Sequence, residues 1–237
     1  SHENYNKVAL LLSKYKFEEI MSHHKDKAKL YRQQDYYIIW FKETGTIFMR
    51  KGTQCIVLID SLQKNSYVEL SRFVREIFTR LAEKENYYLI HASAVERNGE
   101  IFVITGDKGA GKTTSLLELI EEGYNIVSND RIFLGINGES LYCFTWPGAV
   151  AVSVKFLEKY SIINKVVKEL KNSIYPQQRI KNLDLFIRNP IEYSKKYPEE
   201  KMDLSCEELS NIFKIKNIAS GKVKKIVAIY VNGTTEK

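Results

Sequence analysis

The pattern of apolar and polar positions divides the chain into a β-rich start, a middle where strands and helices alternate, and a helical stretch that ends in one more strand. Runs rich in β-branched and aromatic residues at Tyr36 to Phe41, Thr46 to Arg50 and Cys55 to Asp60, with Glu43-Thr44-Gly45 as a turn, predict a small β-rich lobe. Ser66-Tyr67-Val68-Glu69 has the spacing of a capping box, and the helix it opens is expected to run to about Lys84, burying Leu70, Phe73, Val74, Ile77 and Leu81. Asn98-Gly99 and Asn137-Gly138 each stand between strand-like runs and suit the positive φ angles of a tight hairpin turn. The first hairpin is expected to pair Tyr88 to Glu96 with Glu100 to Thr105, whose Ile101-Phe102-Val103-Ile104 is continuous enough to be buried on both faces. A helix from Thr113 to Glu122 turns Leu116, Leu117 and Ile120 inward and stops at Gly123 as a left-handed cap. A strand follows at Tyr124 to Ser128 and ends in Asn129-Asp130-Arg131. Residues 155 to 217 read as mainly helical, and Val223 to Val231 as a final strand. Prolines, tyrosines and mixed charges mark 176 to 203 as a mobile or partner-facing region.

At 237 residues and 44% hydrophobic, the chain can bury one substantial core, or a main domain with a smaller lobe. Residues 1–86 are assigned to the N-terminal β-rich lobe plus its helix and 87–237 to the main domain. No apolar run approaches the roughly 18 residues of a membrane helix, and the layout of a signal peptide is missing. The three cysteines, Cys55, Cys143 and Cys206, are scattered and odd in number, so a reducing compartment, the cytoplasm, is expected. Ser1-His2 reads as a cloning scar, and His2 is set aside. A net charge of +7 and a pI near 9.1 are compatible with nucleic acid, but a solvated basic surface explains them more simply. Lys165, Lys168 and Lys171 are spaced as the wet face of a helix whose other face carries Ile162, Ile163, Val166, Val167 and Leu170.

The chemistry concentrates in Gly106-Asp107-Lys108-Gly109-Ala110-Gly111-Lys112-Thr113, a full match to G-x-x-x-x-G-K-[ST] with a strand before it and a helix after it. Its glycines let successive amides face phosphate oxygens, and the helix adds its positive N-terminal end. The nucleotide set is therefore Gly106 through Thr113 together with Thr114. Lys112 is expected on the β and γ phosphates, and the Thr113 hydroxyl on magnesium. Asp130, at the end of the next strand, can hold magnesium or face the γ phosphate, or be a turn aspartate. His91, by itself, reads more simply as a satisfied core histidine. Arg131 can stabilise transferred charge or lie idle on the surface. His23 and His24 are adjacent and belong to no metal-ligand cluster.

His91-Ala92-Ser93-Ala94-Val95, the hairpin, Ile104-Thr105-Gly106-Asp107, Gly111-Lys112-Thr113 and Val127-Ser128-Asn129-Asp130, in that order, resemble the catalytic domain of HPr kinase/phosphorylase over about forty residues. The resemblance implies an α/β P-loop domain of the HPr kinase and phosphoenolpyruvate carboxykinase type behind the β-rich lobe. It also implies transfer of the γ phosphate of ATP or another nucleoside triphosphate such as GTP, with Mg2+, to a hydroxyl. The acceptor is a serine of a peptide or protein, or a small metabolite. Nucleic acid and membrane are disfavoured as partners, and a homo-oligomer is compatible with the family. His91 thereby becomes an active-site residue, catalytic together with Asp130 and Lys112. The family shows two consecutive aspartates, the first serving as base, where this chain has Asn129 and Asp130, and asparagine cannot take a proton at neutral pH. Either Asp130 or His91 takes that role, or little proton abstraction is needed, or transfer is lost and the chain is a nucleotide-dependent binding or switch protein. The family's later signature segment has no counterpart, so the resemblance does not extend to phosphorylase activity or to HPr as substrate.

Overall fold

The computed structural model describes residues 2–21, 27–63, 66–146, 148–172 and 180–230. His23, His24 and the Ser66 side chain fall outside them. The chain divides into two compact units, Ser1–Leu81 and Ala82–Lys237.

In the first unit, helix α1 (His2–Leu12) precedes strands β1 (Glu18–Met21), β2 (Lys27–Gln33), β3 (Tyr36–Phe41), β4 (Thr46–Lys51) and β5 (Gln54–Ile59), and helix α2 (Ser66–Lys84) follows them. The five strands form an antiparallel meander in sequence order. Strand side chains alternate between the two faces of a sheet. Ile38, Trp40 and Ile47 accordingly meet Tyr5 and Leu12 of α1 on one face, and Trp40 Nε1 donates to the Tyr5 hydroxyl at 3.0 Å. Phe41, Phe48 and Ala28 face the other way, where the ring of Phe73 of α2 lies tilted against Phe48, with centroids 4.8 Å apart. The helix has the expected bounds, but Val74, Ile77 and Leu81 are exposed rather than buried, because the contact with the sheet is made through Phe73. His2, set aside as a scar, bonds Asp60 through Nδ1 at 2.5 Å.

The second unit is built on strands β6 (Tyr87–Ile90), β7 (Ser93–Arg97), β8 (Glu100–Gly106), β9 (Asn125–Ser128), β10 (Ile132–Asn137), β11 (Ser140–Thr145), β12 (Val150–Ser153), β13 (Lys201–Leu204) and β14 (Ser220–Ile229). Helix α3 (Lys112–Glu121) separates β8 from β9, α4 (Val154–Lys159), α5 (Ile163–Asn172), α6 (Leu183–Arg188) and α7 (Pro190–Lys196) lie between β12 and β13, and α8 (Cys206–Phe213) precedes β14. A seven-stranded mixed sheet runs β6-β10-β11-β14-β8-β7-β9 and curls. Ala92, Ala94, Ile101, Val103, Val127, Ile132 and Cys143 fill the inside of the curl. The alternate positions Val95 and Ile126 join the larger core made with the helices. The fold is thus the expected α/β one with a β-rich sheet at its N-terminal end.

Three expectations need correction. The apolar run from Tyr88 to Glu96 is two strands, not one: β7 pairs with β8, but β6 pairs with β10, because the chain bends at His91-Ala92. In the second hairpin Asn137 faces Ser140, so the two turn residues are Gly138 and Glu139, one step beyond the Asn-Gly pair. The stretch from 155 to 217 carries β13, paired with β12, among its helices. Its part between 180 and 203 packs Phe186, Tyr193 and Met202 fully into the core. Other features stand as read. Asn98 and Gly99 form their turn with φ of 57° and 82°, Gly123 caps α3 at φ 87°, and α5 keeps its lysines outward.

Among the described residues no helix is long and apolar enough to cross a membrane, and no three His, Cys, Asp or Glu side chains group as a metal site. All three cysteines are free; Cys55 is exposed, while burial pushes the thiols of Cys143 and Cys206 up to about 12 and about 11. Because the thiolate is the reacting species, alkylation of the native protein is expected to label Cys55 well before the other two. Mass spectrometry of a time course checks this, and the order should vanish in denaturant.

Candidate functional site

The glycine loop leaves β8 at Gly106 and enters α3 at Lys112. Positive φ at Gly106 (151°), Gly109 (88°) and Gly111 (97°) gives the backbone a path that L side chains rarely follow. At Gly106 the reason is also steric: a Cβ there would lie 2.4 Å from the carbonyl oxygen of Ile229, where β14 runs parallel against β8. Gly106→Ala is therefore expected to displace the loop and lower the melting temperature. A thermal scan unchanged from the parent would refute the close approach.

Asp107, Lys108 and Gly109 are exposed at the loop tip, and Ala110 is buried beneath it. Gly111 is the N-cap of α3 and provides no side-chain cap for the first helix amides. Lys112 is itself buried and folds back under the loop, where its Nζ donates to the carbonyls of Gly106 at 2.7 Å and Asp107 at 3.0 Å. Thr113 is half-buried and Thr114 exposed on the first turn. Leu116, Leu117 and Ile120 hold the helix down in the core. Its outer side is tied to α4 through Glu118, which accepts from Lys159 at 2.8 Å and from the Tyr160 hydroxyl. Those bonds, Lys159 first, hold the Glu118 carboxyl below its ordinary range.

Beside the loop the sheet turns a corner. Ile90 faces Ile132 and Ala94 faces Ser128, four residues on along one strand and four back along the other. The register of the β6–β10 pair thus carries to the first pair of β7 and β9, after which it shifts by one at Val95–Ile126, and the four strands form an antiparallel ribbon bent where pairing lapses. The residues in the lapse are His91-Ala92 on one side and Asn129-Asp130-Arg131 on the other. Ser93 pairs with Ile104, two residues before Gly106, so the bend and the mouth of the glycine loop share one end of the sheet.

At the bend His91 Nε2 lies 2.9 Å from Asp130 Oδ1, and Arg131 Nη1 lies 3.0 Å from Asp130 Oδ2. Residues 39 apart in sequence are thereby joined, with each carboxylate oxygen of Asp130 engaged by a different side chain. His91 and Asp130 remain accessible, at 57% and 45% of their side-chain surface. The Asn129 Oδ1 atom, by contrast, is buried with no hydrogen-bond partner among the described residues. Ser93 and Ser128, which the sequence did not single out, donate their hydroxyls to the backbone carbonyls of this turn.

A strand that feeds a glycine loop onto a helix N-terminus, beside a histidine–aspartate pair on a bent ribbon, defines the class of α/β chain to which this one belongs. Relatives narrow that class. No family model matches the chain, but HPr kinase/phosphorylase of Pediococcus pentosaceus is 33% identical over 82 residues, covering 35% of this chain and 25% of that protein. The HPr kinase/phosphorylase of Treponema pallidum is 30% identical over 97 residues, covering 40% and 28%. Over part of its length the chain is thus similar to HPr kinase/phosphorylase, and the match spans about a quarter of the length of these curated relatives. A solved Hpr(Ser) kinase/phosphatase from Coxiella burnetii aligns over 63% of this chain and 69% of its own, with 13% identity and a TM-score of 0.36.

Proposed function

We propose that the chain is a kinase that transfers the γ phosphate of ATP, or of another nucleoside triphosphate such as GTP, to a hydroxyl of a peptide, a protein or a small metabolite. The observation that carries this reading is the His91–Asp130 contact at 2.9 Å beside the mouth of the glycine loop. On this reading the amides from Gly106 to Thr113, with Thr114 on the rim, receive the triphosphate, and Lys112 exchanges its two loop carbonyls for phosphate oxygens. Arg131 faces the charge that spreads over the transferred group.

Magnesium fits the oxygen donors of this end of the sheet. The Thr113 hydroxyl and the accessible Asp130 carboxylate are hard ligands of the kind it takes one or two of, while keeping water and phosphate for the rest. When bound, the ion would neutralise charge on the phosphates. His91 then receives the acceptor's proton at a ring nitrogen as the acceptor oxygen bonds to phosphorus and the bond to the β-phosphate oxygen breaks. Asp130 fixes the orientation of the ring. Asn129 serves only to orient.

A second reading has its own support. The unpartnered amide oxygen of Asn129 replaces a carboxylate that the family uses as base, which suits a nucleotide-dependent binding or switch protein that no longer transfers phosphate. Incubation with γ-labelled ATP, magnesium and fractions of cellular peptides and metabolites tests the choice. The proposal expects label in an acceptor, and label confined to ATP and inorganic phosphate in every fraction would contradict it.

A further inference from the structure

The bend in the ribbon lacks the ladder bonds that hold the strands on either side of it. Carbonyls that lose their ladder bonds need another donor. Two serine hydroxyls are placed to supply them. Ser93, wholly buried at the start of β7, donates to the carbonyl of Asn129 at 2.5 Å. Ser128, equally buried at the end of β9, reaches the carbonyl of Arg131 at 2.6 Å and that of Trp146 at 3.2 Å. The bonded carbonyls are those of the residues immediately before and after Asp130.

The Trp146 amide also approaches the Arg131 carbonyl, at 3.4 Å, so the turn is gripped from β7, from its own strand and from the segment after β11. The side chains of the pair are held among the described residues by their contact with each other and by Arg131 on Asp130. His91 and Asp130 are accessible, and an accessible pair keeps a fixed geometry only when its backbone is fixed.

We infer that Ser93 and Ser128 are positioning residues: their hydroxyls set the turn at Asn129-Asp130-Arg131, and through it the His91–Asp130 contact. Apolar cores do not require a hydroxyl at either place. Ala92 and Ala94 flank Ser93 in the same buried run, and alanine would fill the Ser93 site with almost the same volume. What alanine cannot supply is the proton given to the Asn129 carbonyl. The inference adds two residues that touch neither nucleotide nor acceptor, and only its kinetic test rests on the proposed kinase reading.

Ser93→Ala, Ser128→Ala and the nearly isosteric Ser93→Cys, which keeps a weak donor, are compared with the parent by two measurements. Nitrogen-15 NMR of the His91 ring, assigned with His91→Ala, reads the contact without any turnover. In both alanine variants the His91 signals should move toward those seen in Asp130→Ala, and in Ser93→Cys they should move part of the way. In a transfer assay kcat should fall about 10- to 100-fold with the KM for ATP unchanged, the loss expected when reacting groups are displaced by about 1 Å. In a His91→Ala background the same serine changes should cost less than about threefold, since residues acting through one another are not additive. A merely structural role would leave the His91 signals alone and lower kcat equally in both backgrounds, and that result would overturn the inference. If the parent transfers no phosphate but the His91 signals move as described, the positioning role stands and the kinase reading fails.

Discussion

Replacing Asp130 by alanine is expected to abolish transfer, and replacing His91 to slow it about 10²- to 10⁴-fold, the range associated with losing a positioned general base. The two losses differ because the residues do different work. Asp130 offers one oxygen to His91 and the other to Arg131, so its removal frees both neighbours at once. On the proposed reading it also holds magnesium, so the affinity of Asp130→Ala for ATP should gain less from added metal than the parent's. His91→Ala leaves the glycine loop intact, and its affinity for ATP should match the parent's. A His91→Ala protein that turns over at the parent rate from about pH 6 to 9 would make His91 structural.

Lys112→Ala should weaken ATP binding about 10- to 100-fold, equivalent to the roughly 1.5–3 kcal/mol of a charge-assisted hydrogen bond. In the free protein Nζ is bonded to the carbonyls of Gly106 and Asp107, so the lysine also ties the two ends of the loop together. Part of the loss should therefore appear as an unfavourable entropy of binding, from ordering a loop that the lysine no longer braces. Thr113→Ala should leave affinity for free ATP nearly unchanged and lower the gain from magnesium. Neither change should unfold the chain, because Leu116, Leu117 and Ile120 anchor α3 independently of the loop. Calorimetry with ATP in the presence and absence of magnesium separates the two variants. Equal affinities for all three proteins would exclude the loop as the phosphate site.

Much of this was legible in the residues themselves because the signals are local. Asn98-Gly99 suits a turn of positive φ and forms one, Gly123 ends a helix whose apolar spacing is plain, and the glycine loop brings its own strand and helix. The bend at His91-Ala92 was not legible. An apolar run from Tyr88 to Val95 reads the same whether its two ends pair with one strand or with two, and the choice is made by β10, more than 30 residues away. The exposed end of α2 escaped for the same reason, since periodicity reveals an apolar face and not whether anything meets it. Ser205 and Glu208 show the opposite case. Their spacing is a capping box that opens α8, present in the sequence in the form already sought at Ser66 to Glu69. At the site, the resemblance raised His91 and the chain's geometry then joined it to Asp130, but Ser93 and Ser128 gave no sign, because a serine in a strand carries no pattern until its carbonyl partner is known.

The most direct measurement is single-turnover transfer from γ-labelled ATP to an acceptor fraction, with the parent compared against Asn129→Asp. The Asn129 amide oxygen is buried, and a carboxylate there would be desolvated beside Asp130, which favours its neutral form and adds no second base to a site that, on the proposed reading, works through His91. The account therefore predicts that the parent transfers label and that Asn129→Asp is no faster. An inert parent together with an active Asn129→Asp would contradict it, and would make the native chain a nucleotide-binding protein whose transfer chemistry has been switched off at residue 129.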